Sequence, residues 1–252
     1  MVSKSQIKFV KSLGQQKFRQ KYDKFTAEGE KTGIEFLKHP IFSPISVYYT
    51  SISLESTLLS LDLNIEPELI SSVEMAQMST FKTPSSLLVV LEKKENICDL
   101  SQLNQEKSLY LDDIQDPGNL GTIIRIADWF GIKNIIRSPG SVDFFNPKAV
   151  QSSMGSLCNV RTASASLSKL IEKNPQISVF GAFMDGILIH ELPTPMNPCG
   201  ILIIGNEGQG IRKENIPLVT QKIAIAGQSQ KIAESLNAAM ACGIICHNWV
   251  YG

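Results

Sequence analysis

This chain of 252 residues has no apolar run approaching the ~20 residues needed to cross a membrane, which excludes a membrane-spanning helix. Its first sixteen residues contain no continuous apolar stretch, so no secretory signal is expected and a cytoplasmic protein is the default. Five cysteines are present (Cys98, Cys158, Cys199, Cys242 and Cys246), an odd number, and no two have the C-x-x-C spacing of a zinc or redox site. They read as buried free thiols in a reducing compartment, with no metal site and no structural disulfide. The formal net charge is zero, so the total gives no reason to expect a polyanionic partner. The chain also lacks G-K-[ST] and G-x-G-x-x-G, the glycine patterns that cradle nucleotide phosphates.

The zero net charge hides an uneven distribution. Residues 1–40 carry nine Lys/Arg against four acids, an excess of five that the rest of the chain cancels. A basic N-terminal face could neutralise a few phosphates. On charge alone, a solvated helix face is the better account.

The hydrophobic pattern divides the chain. Helices are expected at 5–20, 30–38, 53–61 and 68–77, and strands at 24–27, 47–50 and 87–91, giving a mixed first unit over 1–95. The polar stretch 96–107 reads as a linker. From 108 to 252 strands alternate with helices. The strands are expected at 109–112, 134–137, 159–162, 177–182, 201–205 and 222–226, and the helices at 119–130, 147–157, 166–173 and 234–250. This alternation implies an α/β domain with a parallel sheet and helices on both faces. Ligands of such sheets bind beyond the carboxyl ends of the strands. That directs attention to the loops after residues 111, 204 and 225.

In the first loop, Asp112 to Arg125, a Pro-Gly turn leads into a helix expected to begin near Asn119, a favourable cap. Gly121 and Arg125 share a helix face, leaving room for a bulky group beside the guanidinium. A weak exposed pair between Arg125 and Asp128 explains the arginine equally well. In the second, the apolar strand 201–205 runs into Gly205-Asn206-Glu207-Gly208-Gln209-Gly210. Glycine lets backbone approach a ligand closely, but Glu207 would repel phosphate. Adenosine without phosphate, carrying a positive sulfonium, suits this loop better than NAD or ATP; a simple turn is the alternative. In the third, Ser235 reads as an N-cap and Asn237 falls in the first turn of the last helix. That helix is apolar nearly all round, as expected of one buried on most sides or partly in a subunit interface.

Taken together and in this order, the three loops resemble the SpoU/TrmH group of the SPOUT methyltransferases. Asn119-x-Gly121-x-x-x-Arg125 is similar to that group's first motif, 205–210 to its second, and Ser235-Leu236-Asn237 with the small apolar residues after it to its third. Residues 145–155 resemble its intermediate region. The segments 17–22 and 25–29 resemble the L30e-like RNA-binding domain often fused in front. Three departures stand out: Ala224 where the group has proline, Gln151 where it often has arginine, and a longer stretch over 227–235.

The resemblance implies a C-terminal trefoil knot, which topology rules alone would argue against. It also implies a homodimer, structured RNA as partner (ribosomal rather than transfer RNA), and S-adenosylmethionine as cofactor. Gly205, Asn206, Ile223, Ile225 and Leu236 would hold the cofactor. Arg125, Asn119, Glu207, Ser235 and Asn237 would carry 2′-O-ribose methylation. A guanidinium titrating above ~12 is a poor base. Arg125 is therefore expected to hold the adjacent phosphate and stabilise developing oxyanion charge. Two rivals remain. A catalytically dead RNA-binding or ribosome-assembly protein is disfavoured by the intact motif residues, and a nucleotide-dependent oxidoreductase lacks the required glycine spacing.

Overall fold

The computed structural model describes residues 2–94, 97–192, 199–228 and 232–252. In chain order the elements are α1 (Lys4–Ser12), α2 (Gln16–Tyr22), β1 (Lys24–Glu28), α3 (Glu30–Lys38), β2 (Pro44–Tyr49), α4 (Glu55–Leu59), β3 (Glu68–Leu69), α5 (Ser72–Met78) and β4 (Leu87–Glu92). They continue with β5 (Lys107–Asp112), α6 (Pro117–Trp129), β6 (Asn134–Arg137), α7 (Pro147–Ser153), β7 (Arg161–Ser164), α8 (Leu167–Lys173), β8 (Val179–Leu188), β9 (Gly200–Gly205), β10 (Gln221–Ala224) and α9 (Ala238–Tyr251). The chain forms two compact units, and the division is not a single cut. The segment Asp143–Cys158, including α7, packs with the N-terminal residues, and the rest from Ile97 onward forms the second unit.

The first unit is a four-stranded sheet in the order β1-β4-β2-β3, mostly antiparallel. Leu87–Leu91 of the central strand β4 are all buried. Val10, Leu13, Met75 and Met78 pack with Leu88 and Val90 in one core cluster. Phe25, Phe36, Phe42 and Phe145 form an aromatic cluster, with Phe25 and Phe145 centroids 4.7 Å apart. Phe145 belongs to the returning segment, so α7 is anchored in this unit by a ring contact. Asp143 adds an ion pair to Arg19 at 2.5 Å.

Two expectations for this unit are corrected. The helix expected over 5–20 is broken into α1 and α2. Leu13 is fully buried, and a Cβ at Gly14 would lie 2.7 Å from Thr80 Cγ2, so the chain turns there. Arg19 Nη1 donates to the freed carbonyls of Leu13 and Gly14 at 2.8 and 2.9 Å. The helix expected over 68–77 is instead the short strand β3 followed by α5. Ser71 caps α5 in a reciprocal box with Glu74, which fixes the true helix start after 71.

The second unit is a six-stranded sheet in the order β10-β8-β9-β5-β6-β7, and every neighbouring pair is parallel. It is flanked by helices, and its central strands are buried along their length, as a covered parallel sheet requires. Tyr110, Ile136, Ile201 and Ile203 build a core that also takes in Cys98 and Leu103, so residues 97–107 contribute side chains to this unit. Each large apolar side chain buried this way contributes about 1.5–3 kcal/mol. Cys98, Cys158, Cys242 and Cys246 are buried thiols, and Cys199 is half-buried.

Element bounds differ from expectation where local chemistry intervenes. The helix expected to start near Asn119 starts at Pro117, capped by Asp116, whose Oδ1 accepts from the N–H groups of Gly118 and Asn119 at 2.5 and 3.1 Å. The helix expected over 147–157 stops at Ser153, because Met154 turns into the left-handed region at φ 52°. The last helix starts at Ala238 rather than 234. Its cap is Asn237, not Ser235, and Asn237 Oδ1 accepts from Ala239 and Met240 at 2.9 and 3.3 Å. Its buried residues (Ala238, Ala239, Cys242, Ile245, Cys246, Trp249) form one stripe, while Met240, Ile244 and Tyr251 are exposed. Within this single chain α9 is therefore buried on one side, not on most sides.

β8 departs most from expectation, running ten residues. Between consecutive rungs of its pairing with β10, the register jumps from Lys222 opposite Gly181 to Ile223 opposite Ile187, so residues 182–186 bulge out. The close approach of β10 at the end of the bulge requires glycine. A Cβ on Gly186 would lie 2.6 Å from both N and C of Ile223.

Candidate active site

In a parallel sheet the carboxyl ends of all strands lie along one edge, so the loops after β5, β9 and β10 emerge together. There the loops after β9 and β10 wall a cavity of about 570 Å³, within the size range of small-molecule sites. One wall is the glycine loop from Gly205 to Ile211. The floor is apolar: Ile204, Ile223, Ile225, Ala238, Ala241 and Ile245. The far wall is the β8 bulge, Ala182, Phe183 and Met184, and the segment preceding α9 adds Ser235 and Leu236. Among the described residues no lysine, arginine or histidine lines the cavity, and the charged ones that do are the acids Glu207 and Glu234.

The glycine loop is tightly closed. Asn206 and Gly210 exchange main-chain hydrogen bonds at 3.0 and 2.9 Å. A Cβ on Gly205 would lie 2.3 Å from the Gly210 carbonyl carbon, so no other residue fits there without moving the loop. Gly210 itself adopts φ +69°, a backbone conformation that favours glycine. The Asn206 side chain organises both sides of the loop. Its Oδ1 accepts from Gly208 and Gln209 at 2.9 and 3.1 Å, and its Nδ2 donates to the Asp113 carbonyl at 2.8 Å. Asp113 takes a positive φ of 60° just past the end of β5.

At the edge of the cavity the three loops are joined side chain to side chain. Because Asp116 takes the capping duty on α6, the Asn119 amide is free to reach outward. Its Nδ2 donates to Glu207 Oε1 at 2.7 Å, and its Oδ1 accepts from Asn237 Nδ2 at 2.9 Å. Asn237 thus has two jobs: its oxygen caps α9 and its nitrogen holds Asn119. One polar chain, Asn237–Asn119–Glu207, ties together residues 118 positions apart in sequence.

Seven of the ten site residues expected from sequence line the cavity: Gly205, Asn206, Glu207, Ile223, Ile225, Ser235 and Leu236. Asn119 and Asn237 join them through Glu207. Arg125 stands apart. It is exposed on α6 and makes no hydrogen bond or ion pair among the described residues, including with Asp128. Sequence reading missed the β8 wall, because nothing in residues 182–184 signals a bulge. It also missed Arg212, which follows the glycine loop and pairs with the buried Asp112 at 2.7 Å. Ala224 and Gln151 occupy ordinary places at the end of β10 and in α7. Part of the lengthened stretch 227–235 lies outside the described residues. Also among the described residues, no group of three or more His, Cys, Asp or Glu is gathered to hold a metal, and no helix is long and apolar enough to cross a membrane.

Residues 106–247, more than half of the chain and including all three loops, match the SpoU rRNA Methylase family. The chain belongs to that family. It is 30% identical over 246 residues to the 23S rRNA (guanosine(2553)-2′-O)-methyltransferase RlmP of Bacillus subtilis, covering 96% of this chain and 94% of that protein. A TrmH-family protein from Porphyromonas gingivalis has a solved structure that superposes with a TM-score of 0.83 at 34% identity, covering 99% and 98% of the two chains. An AdoMet-bound rRNA methyltransferase from Sinorhizobium meliloti shares the fold, with a TM-score of 0.84 at 24% identity over 99% and 96%. As a SpoU family member the chain is a methyltransferase.

Proposed function

We propose that this methyltransferase transfers the methyl group of S-adenosylmethionine to a ribose 2′-hydroxyl of ribosomal RNA. The observation that carries this reading is the Asn237–Asn119–Glu207 chain at the rim of a cavity whose described lining is apolar and acidic. Positive side chains favour a phosphate-bearing nucleotide, and the described residues of this cavity supply none. A neutral adenosine fits its apolar lining. A positive sulfonium or ammonium group fits its acids, Glu207 and Glu234.

When bound, S-adenosylmethionine supplies a methyl group activated by its sulfonium. The proton displaced from the 2′-hydroxyl by that methyl group would leave to solvent. The protein's part is orientation and electrostatics. Gly205, Asn206, Ile223, Ile225 and Leu236 hold the cofactor, largely through backbone and apolar contacts. The polar chain fixes the glycine loop against α6 and the start of α9, so the reacting groups meet in one geometry. Arg125, an exposed guanidinium on the same helix as Asn119, is free to take an RNA phosphate and to stabilise negative charge developing on O2′. Ser235 at the cavity wall completes the set.

The wider assembly follows from the same reading. The first unit acts as an L30e-like RNA-binding domain, with the charge excess of residues 1–40 meeting phosphate. The chain works in the cytoplasm, and the second unit is closed by a trefoil knot. Two copies associate through α6 and α9. On these helices Trp129 is 82%, Tyr251 68% and Met240 64% exposed, side chains that such an association would cover. Titration calorimetry with S-adenosylmethionine, with NAD as control, tests the reading. Saturable binding of S-adenosylmethionine alone is expected, whereas NAD binding, or no binding in the presence of 23S rRNA, contradicts it.

A further inference from the structure

Asp112 is the last residue of β5, and its carboxylate is shut off from solvent. A buried carboxylate must find a counter-charge and donors, or it destabilises what surrounds it. Among the described residues both come from Arg212. Its main-chain N–H donates to Oδ2 at 2.8 Å and its Nε to Oδ1 at 2.7 Å. The same guanidinium reaches Glu214 at 3.1 Å. Burial and the Asp112 carboxylate together push the Tyr110 phenol up to about 12, so it stays a neutral neighbour.

The position of this pair matters more than its strength. Gly205, where the glycine loop leaves β9, sits opposite Asp112 in the β5–β9 register. Arg212, where the loop ends, returns to that same Asp112. The loop therefore departs from and comes back to a single buried residue, and it carries Glu207 and the cavity wall between those points. Asn206 Nδ2 on the Asp113 carbonyl fastens it a second time to the end of β5.

We infer that Asp112 and Arg212 are positioning residues, a clasp that holds the glycine loop in its binding shape and so sets cofactor affinity rather than the rate of methyl transfer. The inference rests on the reading of the cavity as the S-adenosylmethionine site. Were the pair merely stabilising, its loss would instead lower the melting temperature and leave the folded protein's affinity untouched.

The test uses the full chain carrying Arg212→Met or Arg212→Lys. Three quantities are read: the calorimetric Kd for S-adenosylmethionine, amide exchange over residues 205–212 without cofactor, and the single-turnover rate on 23S rRNA at saturating cofactor. For R212M, Kd should rise about ten- to a hundredfold, as when one partner of a buried charged pair is removed. Exchange in the loop should quicken, and the single-turnover rate should stay within about threefold of wild type. R212K, which keeps the charge but not the planar fork, should raise Kd by about three- to tenfold. Should R212M fail to fold, R212K decides alone. An unchanged Kd in the folded variants, or a rate that falls while Kd holds, overturns the clasp. Failure of the wild-type chain to bind S-adenosylmethionine overturns the underlying reading instead, and the two failures are told apart by that control.

Discussion

At the scale of single residues, the site separates holding from reacting. Asn119 is the middle link of the polar chain, accepting from Asn237 and donating to Glu207. Asn119→Ala removes both bonds at once and frees the loop tip, and single-turnover methyl transfer should fall by about 10²-fold. Among the described residues the Arg125 side chain makes no hydrogen bond or ion pair, so its replacement tests chemistry with little structural side effect. Arg125→Ala should lower the transfer rate by about 10²- to 10³-fold while the calorimetric Kd for S-adenosylmethionine stays within about twofold. An unchanged rate removes Arg125 from the reaction. Gly205 is different again, because its constraint is steric. Gly205→Ala pushes a methyl group into the Gly210 carbonyl carbon at 2.3 Å. Calorimetric unfolding should show a loss of about 1–3 kcal/mol, and cofactor binding should vanish with it.

At the scale of elements, helix ends decide what the side chains near them can do. Asp116 caps α6, which releases Asn119 for the polar chain. Asn237 caps α9 and donates to Asn119 at the same time. Two substitutions separate these duties. Asn237→Ala loses both, and should cost about 1 kcal/mol for the cap, a fall of about 2–4 °C in melting temperature. Asn237→Asp keeps the capping oxygen but not the donor. It should melt near wild type and still lose methyl transfer, because a carboxylate cannot give Asn119 a hydrogen bond. Sequence reading located these elements well where hydrophobic period and length agreed: β5, β6, β9 and α3 were all legible. It misplaced helix starts where two cap residues compete, as with Asp116 against Asn119 and Asn237 against Ser235. The capping geometry depends on which side chain has another partner, and those partners lie on distant segments. The β8 bulge was invisible for a related reason, since it exists only in relation to β10.

At the scale of the whole molecule, the three motifs could be read as motifs because each follows a strand of one parallel sheet, and the sheet delivers them to one edge. What could not be read is that Asp143–Cys158, embedded in the methylase half of the sequence, packs with the N-terminal unit. Its anchor is tertiary: Phe145 against Phe25 and Asp143 against Arg19. Deleting residues 1–94 would strip those partners and expose Phe144, Phe145, Ala149 and Val150, all buried in the intact chain. The shortened chain should therefore aggregate or melt at lower temperature than the full chain in light scattering and thermal unfolding. A deletion that stays monodisperse with an unchanged melting temperature contradicts this packing.

Following the methyl group itself tests the proposed reaction most directly. The purified chain is incubated with 23S rRNA and S-adenosylmethionine labelled in its methyl group, the RNA is digested to nucleosides, and the label is located. The account predicts label in a single 2′-O-methylated nucleoside, and its loss with Arg125→Ala and Asn119→Ala. Label on a base, or none in RNA despite cofactor binding, would contradict it.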